Sequence, residues 1–128
     1  MRILDTDVVV DASRGFPPAL RWLASLTQEP PGLAGIAMME LVAGCANKAD
    51  LWRIQKIVVR YVLHWPTAAD CQFALAQQSQ LSFSHGLGLQ DALIAATAIG
   101  QGATLCTFNV KHFSAVPGLV TEQPYSRT

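Results

Sequence analysis

Short apolar runs alternate with longer amphipathic stretches along the whole chain. The runs show no polar alternation, which indicates strands that are buried on both faces of a parallel sheet. The predicted strands are 3–4, 33–37, 61–63, 103–107 and 119–121. The stretches between them predict helices, because apolar residues recur at helical spacing and Pro or Gly marks the ends. The predicted helices are 7–13, 18–27, 38–44, 48–60, about 67–81 and 90–99, with a loop at 82–89 and a turn or short helix at 109–113.

Strands and helices alternate from one end to the other, which predicts an α/β fold with a mainly parallel sheet and helices on both faces. The length of 128 residues suits one domain, and neither a repeat nor a linker interrupts it. The tail after Glu122 is expected to fray. We therefore expect a single domain that spans residues 1–128.

The composition favours a cytoplasmic protein that associates with another chain. Hydrophobic residues make up 51% and charged residues 14%, and nine basic residues balance nine acidic ones. Zero net charge and a high apolar fraction predict poor solubility alone, which favours a dimer or a standing partner. Three widely separated cysteines fit a reducing compartment rather than a disulfide framework or a zinc site. We see no signal peptide before the first strand, and no apolar run approaches the roughly 20 residues of a membrane span.

Three acidic residues occupy positions where apolar side chains would be easier to explain. Asp5 follows the first predicted strand, Glu40 lies within an apolar helix, and Asp91 opens the most hydrophobic helix of the chain. A carboxylate at the carboxyl end of a parallel strand faces the crevice in which open α/β sheets bind ligands. Burying lone carboxylates is costly, and converging carboxylates repel one another. A divalent cation such as Mg²⁺ or Mn²⁺ would relieve both costs, because these ions prefer oxygen ligands.

Each acid also has a purely structural explanation, which the spacing leaves open. Asp91 and Glu40 could stabilise helix N-termini, where a negative charge complements the helix dipole. Asp5 could be an exposed residue at the end of a strand. Asp7 is suited to capping the first helix, with a supporting hydrogen bond at the acidic site as the alternative. Spacing alone does not show that the acids converge.

Four segments together resemble the signature blocks of a known family. The segments are Ile3–Thr6, Met39–Leu41, Gly88–Ala98 and Leu105–Phe113. The third segment, with its Ala-Ala-Thr-Ala end, is the most specific of the four. Their order and intervals are similar to those of the PIN-domain family, and among its members to the VapC-type ribonuclease toxins of bacterial toxin–antitoxin pairs. The resemblance covers essentially the whole chain.

This resemblance implies a three-layer PIN-like fold with a central five-stranded parallel sheet, and Mg²⁺-dependent cleavage of RNA by a metal-activated water. Asp5, Glu40 and Asp91 carry over as the catalytic and metal-binding acids. Asn109 stands where the family has a fourth acid, and its amide oxygen is a further candidate ligand. One Mg²⁺ is therefore expected, which Mn²⁺ can replace. Thr107 is similar to a hydroxyl residue beside the family's site and is expected to support the site by hydrogen bonding.

Basic residues around the acids are the candidates for contacting the substrate. Zero net charge is weak evidence against a nucleic-acid binder, although a local basic stripe can serve instead. Arg53, Lys56 and Arg60 share one helical face, and further candidates are Arg14 and Lys111. A solvated helix face is the simpler explanation of the same stripe.

The resemblance further implies an RNA substrate, a cognate antitoxin that inserts into the acidic groove, and a homodimer formed through apolar helix surface. An arginine of the antitoxin would block the site, because guanidinium pairs bidentately with carboxylates. Two alternatives stay open: a PIN-domain RNA-processing nuclease without an antitoxin, and a non-catalytic module that binds RNA or protein. A ribonuclease with paired histidines is a third, although His64, His85 and His112 are scattered.

Overall fold

Five parallel strands form the central sheet of the computed structural model, which describes residues 1–128. The strands are β1 (Arg2–Leu4), β2 (Gly32–Ala34), β3 (Leu63–His64), β4 (Thr104–Cys106) and β5 (Val120–Glu122). They stand in the order β3-β2-β1-β4-β5, so the first strand occupies the middle of the sheet. Every pairing is parallel, which confirms the predicted sheet.

Seven helices connect the strands. They are α1 (Thr6–Ser13), α2 (Pro17–Ser25), α3 (Gly35–Ala43), α4 (Lys48–Val58), α5 (Ala68–His85), α6 (Leu89–Gly100) and α7 (Val110–Phe113). Consecutive residues of the central strands, Ile3 with Leu4 and Leu105 with Cys106, are fully buried. Because consecutive strand residues point to opposite faces, both faces of the sheet are covered, as predicted. None of the helices has the length and apolar character needed to span a membrane.

Helix α6 packs into the core through small side chains. Ala92, Ala95, Ala96 and Ala98 are each at most 2% exposed and belong to one cluster of 22 buried apolar residues. Small side chains let a helix backbone approach its neighbours closely without leaving voids. This packing holds the first turn of α6, which carries Asp91, in place.

Two helix boundaries differ by three or more residues from those that the sequence predicted. Helix α3 begins at Gly35, inside the predicted strand 33–37, because β2 is only three residues long. The ring of Trp65 packs over Gly35 so closely that a β-carbon there would overlap it. Helix α5 runs on to His85, through residues predicted as a loop, and ends at Gly86 with a left-handed φ of 68°.

The last residues of the chain pack against the fold, whereas the sequence indicated fraying after Glu122. The Tyr125 hydroxyl donates to Asp11 of helix α1 (2.7 Å), and Arg127 Nε donates to the same carboxylate (3.0 Å). The ring of Tyr125 also meets the ring of Phe108 edge-on, with centroids 4.9 Å apart. An aromatic side chain therefore connects the tail to the fold, and fraying after Glu122 stays a prediction.

Candidate active site

Asp5 lies at the carboxyl edge of the sheet, directly after the central strand β1. Its backbone N–H donates to the carbonyl of Cys106 at the end of β4 (3.0 Å). The side chain is enclosed, and the residue is only 2% exposed. The alternative explanation of Asp5 as an exposed strand-end residue is therefore wrong.

Both oxygens of the Asp5 carboxylate accept hydrogen bonds from neighbouring residues. Oδ1 accepts from the backbone N–H of Thr6 (2.7 Å), which makes Asp5 the N-cap of α1. Oδ2 accepts from the hydroxyl of Thr107 (2.8 Å), and Thr107 is itself fully buried. The Thr107 hydroxyl oxygen in turn accepts from the N–H of Asn109 (3.0 Å). Asp5 is thus oriented from two sides, by α1 and by the loop after β4.

Asp7 stands in the first turn of α1 but is not its cap, because Asp5 takes that place. Its Oδ2 accepts from the backbone N–H of Phe108 (2.8 Å) and lies 3.5 Å from the Thr107 hydroxyl. Its Oδ1 accepts from the N–H of Val8 (2.9 Å). Asp7 therefore joins α1 to the loop after β4, beside the carboxylate of Asp5.

Glu40 and Asp91 come to the same edge from two other helices. Glu40 lies in the interior of α3, so it does not complete a helix N-terminus. Asp91 lies in the first turn of α6, and its side chain is 28% exposed. The Nδ1 atom of His112 on α7 lies 3.9 Å from Asp91 Oδ2.

The charges of these acids act on one another. Burial raises the pKa of Glu40, and the negative charges of Asp5 and Asp91 raise it further. Burial and the charge of Asp5 likewise raise the pKa of Asp91, while His112 opposes the rise. Burial raises the pKa of Asp5, although its hydrogen bonds act in the opposite direction. Burial and the negative charge of Asp5 together raise the pKa of Asp7 to about 6. The carboxylates of Asp5, Glu40 and Asp91 are therefore close enough to repel one another.

The donor atoms at this edge are oxygens, the type that a hard divalent cation prefers. No lysine or arginine lowers the pKa of Asp5, Glu40 or Asp91, so their negative charge is largely uncompensated within the chain. In the structure as it stands, no group of three or more His, Cys, Asp and Glu side chains is arranged so that it could hold a metal ion. Three carboxylates that repel one another are stabilised when a cation with a preference for oxygen ligands draws them together.

Asn109 adds an amide at the same edge. It follows β4 and precedes α7, it is exposed, and its side chain makes no capping hydrogen bond. The amide oxygen is therefore not engaged in capping α7. An amide oxygen can ligate Mg²⁺ but brings no negative charge, so it neutralises less of the cation than an acid would.

Two of the five candidate basic residues line a cleft that also contains Glu40. The cleft has a volume of about 640 Å³ and is bordered by Arg14 of the α1–α2 loop and Arg53 of α4. Lys56 instead lies over the ring of Trp52, 5.0 Å from its centroid, and does not line the cleft. The other two candidates, Arg60 and Lys111, do not line the cleft either.

Three residues near the acids were not predicted from the sequence. Asp11, Tyr125 and Arg127 form a hydrogen-bonded group. Asp11 and Arg127 line a second cleft of about 700 Å³, together with Asp7 and Arg14. The one available signal was an aromatic residue in an otherwise polar tail. Its partner could not be predicted, because Tyr125 and Asp11 are 114 positions apart in the sequence.

Replacing Thr107 with valine is expected to lower the free energy of unfolding by about 1–3 kcal/mol, because a buried carboxylate oxygen loses its donor. Thr107→Ser should restore most of the loss. Thr97→Val is the matched control, since Thr97 is equally buried but its hydroxyl donates to the carbonyl of Leu93 in its own helix. Urea unfolding of the three variants measures the difference, and equal costs for Thr107→Val and Thr97→Val would contradict the assigned bond.

Comparison with known proteins agrees with this fold. Residues 2–119 match the PIN domain family model. The chain is 33% identical to ribonuclease VapC19 of Mycobacterium tuberculosis over 128 residues, covering 98% of this chain and 100% of the relative. It is 27% identical to a chain in the crystal structure of VapBC2 from Rickettsia felis bound to a promoter DNA fragment. That match has a TM-score of 0.77 and covers 94% of this chain and 96% of the other chain. A similar match is found in FitAcB from Neisseria gonorrhoeae, with 27% identity and a TM-score of 0.74, and it covers 97% of this chain and 98% of the other chain. The chain therefore belongs to the PIN-domain family, within its VapC group.

Proposed function

We propose that this protein is a divalent-metal-dependent endoribonuclease and the toxin of a toxin–antitoxin pair. The observation that carries the proposal is the set of acids at the carboxyl edge of the sheet, Asp5, Glu40 and Asp91, none of which forms an ion pair with a lysine or arginine. RNA as the substrate is supported by relatives that are named ribonucleases and that align over nearly the whole chain.

Asp5, Glu40 and Asp91 are the residues that would hold the cation, with the Asn109 amide as a further oxygen. We propose Mg²⁺, which Mn²⁺ can replace, because both ions prefer oxygen ligands. When bound, such a cation lowers the pKa of water and offsets the charge that develops on a phosphate. Asp5 is the best positioned of the acids, since both of its oxygens already accept hydrogen bonds.

The protein's own side chains divide the remaining work between orientation and substrate binding. Thr107 orients Asp5 through its hydroxyl, and Asp7 holds the loop that carries Thr107 through the Phe108 amide. Arg14 and Arg53 share the cleft with Glu40, so a phosphate bound by them would lie beside Glu40. Arginine suits this task because its guanidinium pairs with phosphate oxygens in a fixed geometry.

Removing Arg14 and Arg53 together is expected to weaken RNA binding and to flatten its salt dependence. Each lost phosphate contact should reduce the slope of log K against log salt by about 0.7 for single-stranded RNA. The measurement is a binding titration at several salt concentrations, made with the Asp91→Asn protein so that the RNA stays intact. Lys56→Ala with Arg60→Ala is the matched control, since these residues do not line the cleft. Equal losses of slope in both double variants would overturn this assignment.

An antitoxin is proposed as the protein partner. The solved structures from Rickettsia felis and other bacteria that resemble this chain are described as VapBC or toxin–antitoxin complexes. The acids at the edge attract a cationic side chain, and an antitoxin arginine seated among them would exclude the metal. Exposed apolar residues of α3, Met39 (59%) and Val42 (45%), offer surface for the antitoxin or for a second copy of the chain in a homodimer.

The test of the proposal is mapping of cellular RNA ends after brief induction of the protein. We expect new ends at discrete sites with the wild type and none with Asp91→Asn. Co-expression of the product of an adjacent small gene should suppress the new ends. If co-expression does not suppress the new ends, the result would favour an RNA-processing nuclease without an antitoxin. If induction produces no new ends at all, the proposed endoribonuclease activity would be rejected.

A further inference from the structure

The C-terminal tail, residues 123–128, is bound to helix α1, the helix that Asp5 caps. Asp11 of α1 accepts two hydrogen bonds through one oxygen, from the Tyr125 hydroxyl (2.7 Å) and from Arg127 Nε (3.0 Å). Asp11 is mostly enclosed, with 17% of its side chain exposed, so the ion pair with Arg127 is partly shielded from solvent. Partial shielding makes such a pair less sensitive to salt than a surface pair.

The same two tail residues enclose the ring of Phe108. The Arg127 guanidinium carbon lies 3.9 Å from the Phe108 ring centroid, and the Tyr125 ring meets Phe108 edge-on at 4.9 Å between centroids. Tyr125 is supported in turn by the rings of Phe16 and Trp22, at 6.0 and 6.2 Å. Edge-on aromatic pairs and a cation over a ring face are both favourable geometries. Phe108 is therefore held by the tail on more than one side.

Phe108 stands between two residues of the acidic site. Its backbone N–H donates to Asp7 Oδ2 (2.8 Å). The residue before it, Thr107, donates its hydroxyl to Asp5, and the residue after it, Asn109, donates its N–H to that hydroxyl oxygen. A displacement of Phe108 consequently moves the hydroxyl that orients Asp5 and the amide of Asn109 together.

We propose that Tyr125 and Arg127 are positioning residues of the acidic site, which act by holding Phe108 against α1 and so fixing the loop 107–109. This inference rests on the proposed function for its kinetic consequence, but the loop itself can be observed without activity. The family match ends at residue 119, so both residues lie outside the matched segment.

Kinetics on an RNA substrate provide the first readout. Tyr125→Ala and Arg127→Ala should each lower kcat by about 10-fold, the lower end of what loss of a supporting partner costs. The KM should stay within about twofold, because neither residue is proposed to bind RNA. Tyr125→Phe keeps the ring on Phe108 and should recover most of kcat. Arg21→Ala is the matched control, since Arg21 is an exposed arginine of α2 and should leave both constants unchanged.

Hydrogen exchange of the Phe108 amide, followed by NMR at a temperature where all variants are folded, provides the second readout. Both alanine variants should accelerate this exchange, whereas Tyr125→Phe and Arg21→Ala should not. Unchanged exchange in the alanine variants would overturn the proposal, and so would a raised KM with unchanged kcat, which would make Arg127 an RNA contact. Inactive wild-type protein would reject the proposed function instead, and the exchange rates would still decide the role of the tail.

Discussion

Asp91→Asn is expected to reduce RNA cleavage by roughly 100- to 1000-fold, the loss typical when one electrostatic group of a preorganised site is removed. The variant keeps the shape of the side chain and removes a charge that raises the pKa of Glu40. A cation held by three carboxylates loses a third of its anionic ligands. The measurement is single-turnover cleavage of a labelled RNA at fixed Mg²⁺ concentration.

The control for this variant is Asp70→Asn. Asp70 lies in the first turn of α5, as Asp91 does in the first turn of α6, and it packs against Gly100 at the opposite end of α6. Both variants therefore remove a first-turn carboxylate, but only one removes a proposed metal ligand. Wild-type cleavage by Asp91→Asn, or an equal loss in Asp70→Asn, would contradict the assignment of Asp91.

The metal-free protein is expected to be more stable at pH 5 than at pH 7.5. The pKa of Asp5, Glu40 and Asp91 is raised, and that of Asp7 is raised to about 6. A carboxyl group with a raised pKa binds its proton more tightly in the folded state, so its contribution to stability is complete below the unfolded pKa of about 4. That contribution is lost as the pH rises through the folded pKa. Glu122, whose pKa is lowered, acts in the opposite sense but only below its ordinary value of 4.5, outside this pH window.

The expected loss between pH 5 and pH 7.5 is on the order of 2 kcal/mol, which corresponds to roughly 5–10 °C in Tm for a chain of this size. Mg²⁺ should restore stability at pH 7.5, by about 2.7 kcal/mol at 100 times its Kd. Asp91→Asn should raise the Tm of the metal-free protein at pH 7.5 and reduce the gain with Mg²⁺. Calorimetry of both proteins in chelator and in Mg²⁺ measures these shifts. Equal gains with Mg²⁺ in both proteins would place the metal elsewhere.

The order of the strands and helices could be predicted because burial on both faces leaves a local signature. Ile3 and Leu4 are apolar without alternation, and both prove fully buried. The boundaries of α3 and α5 could not be predicted in the same way. The start of α3 depends on the packing of Trp65 over Gly35, a contact between residues 30 positions apart that no local pattern encodes.

The candidate acids could be found from sequence because each interrupts an apolar context. Their positions relative to one another could not, since these depend on the strand order and on the packing of α3 and α6. The sequence also did not show that Asp5 caps α1 while Asp7 bridges to the loop after β4. Asp7 accepts its hydrogen bond from Phe108, which is 101 positions away. The basic residues of α4 also could not be told apart from the sequence, because Arg53 lines the cleft whereas Lys56 on the same helix does not.

The most direct test of the central claim is RNA cleavage by the purified protein in the presence of EDTA, followed by addition of Mg²⁺ in excess of the chelator. The acids at the carboxyl edge predict no cleavage in EDTA, recovery with Mg²⁺ or Mn²⁺ in the wild type, and no recovery in Asp91→Asn. Cleavage that continues undiminished in EDTA would contradict a metal-dependent site built on Asp5, Glu40 and Asp91.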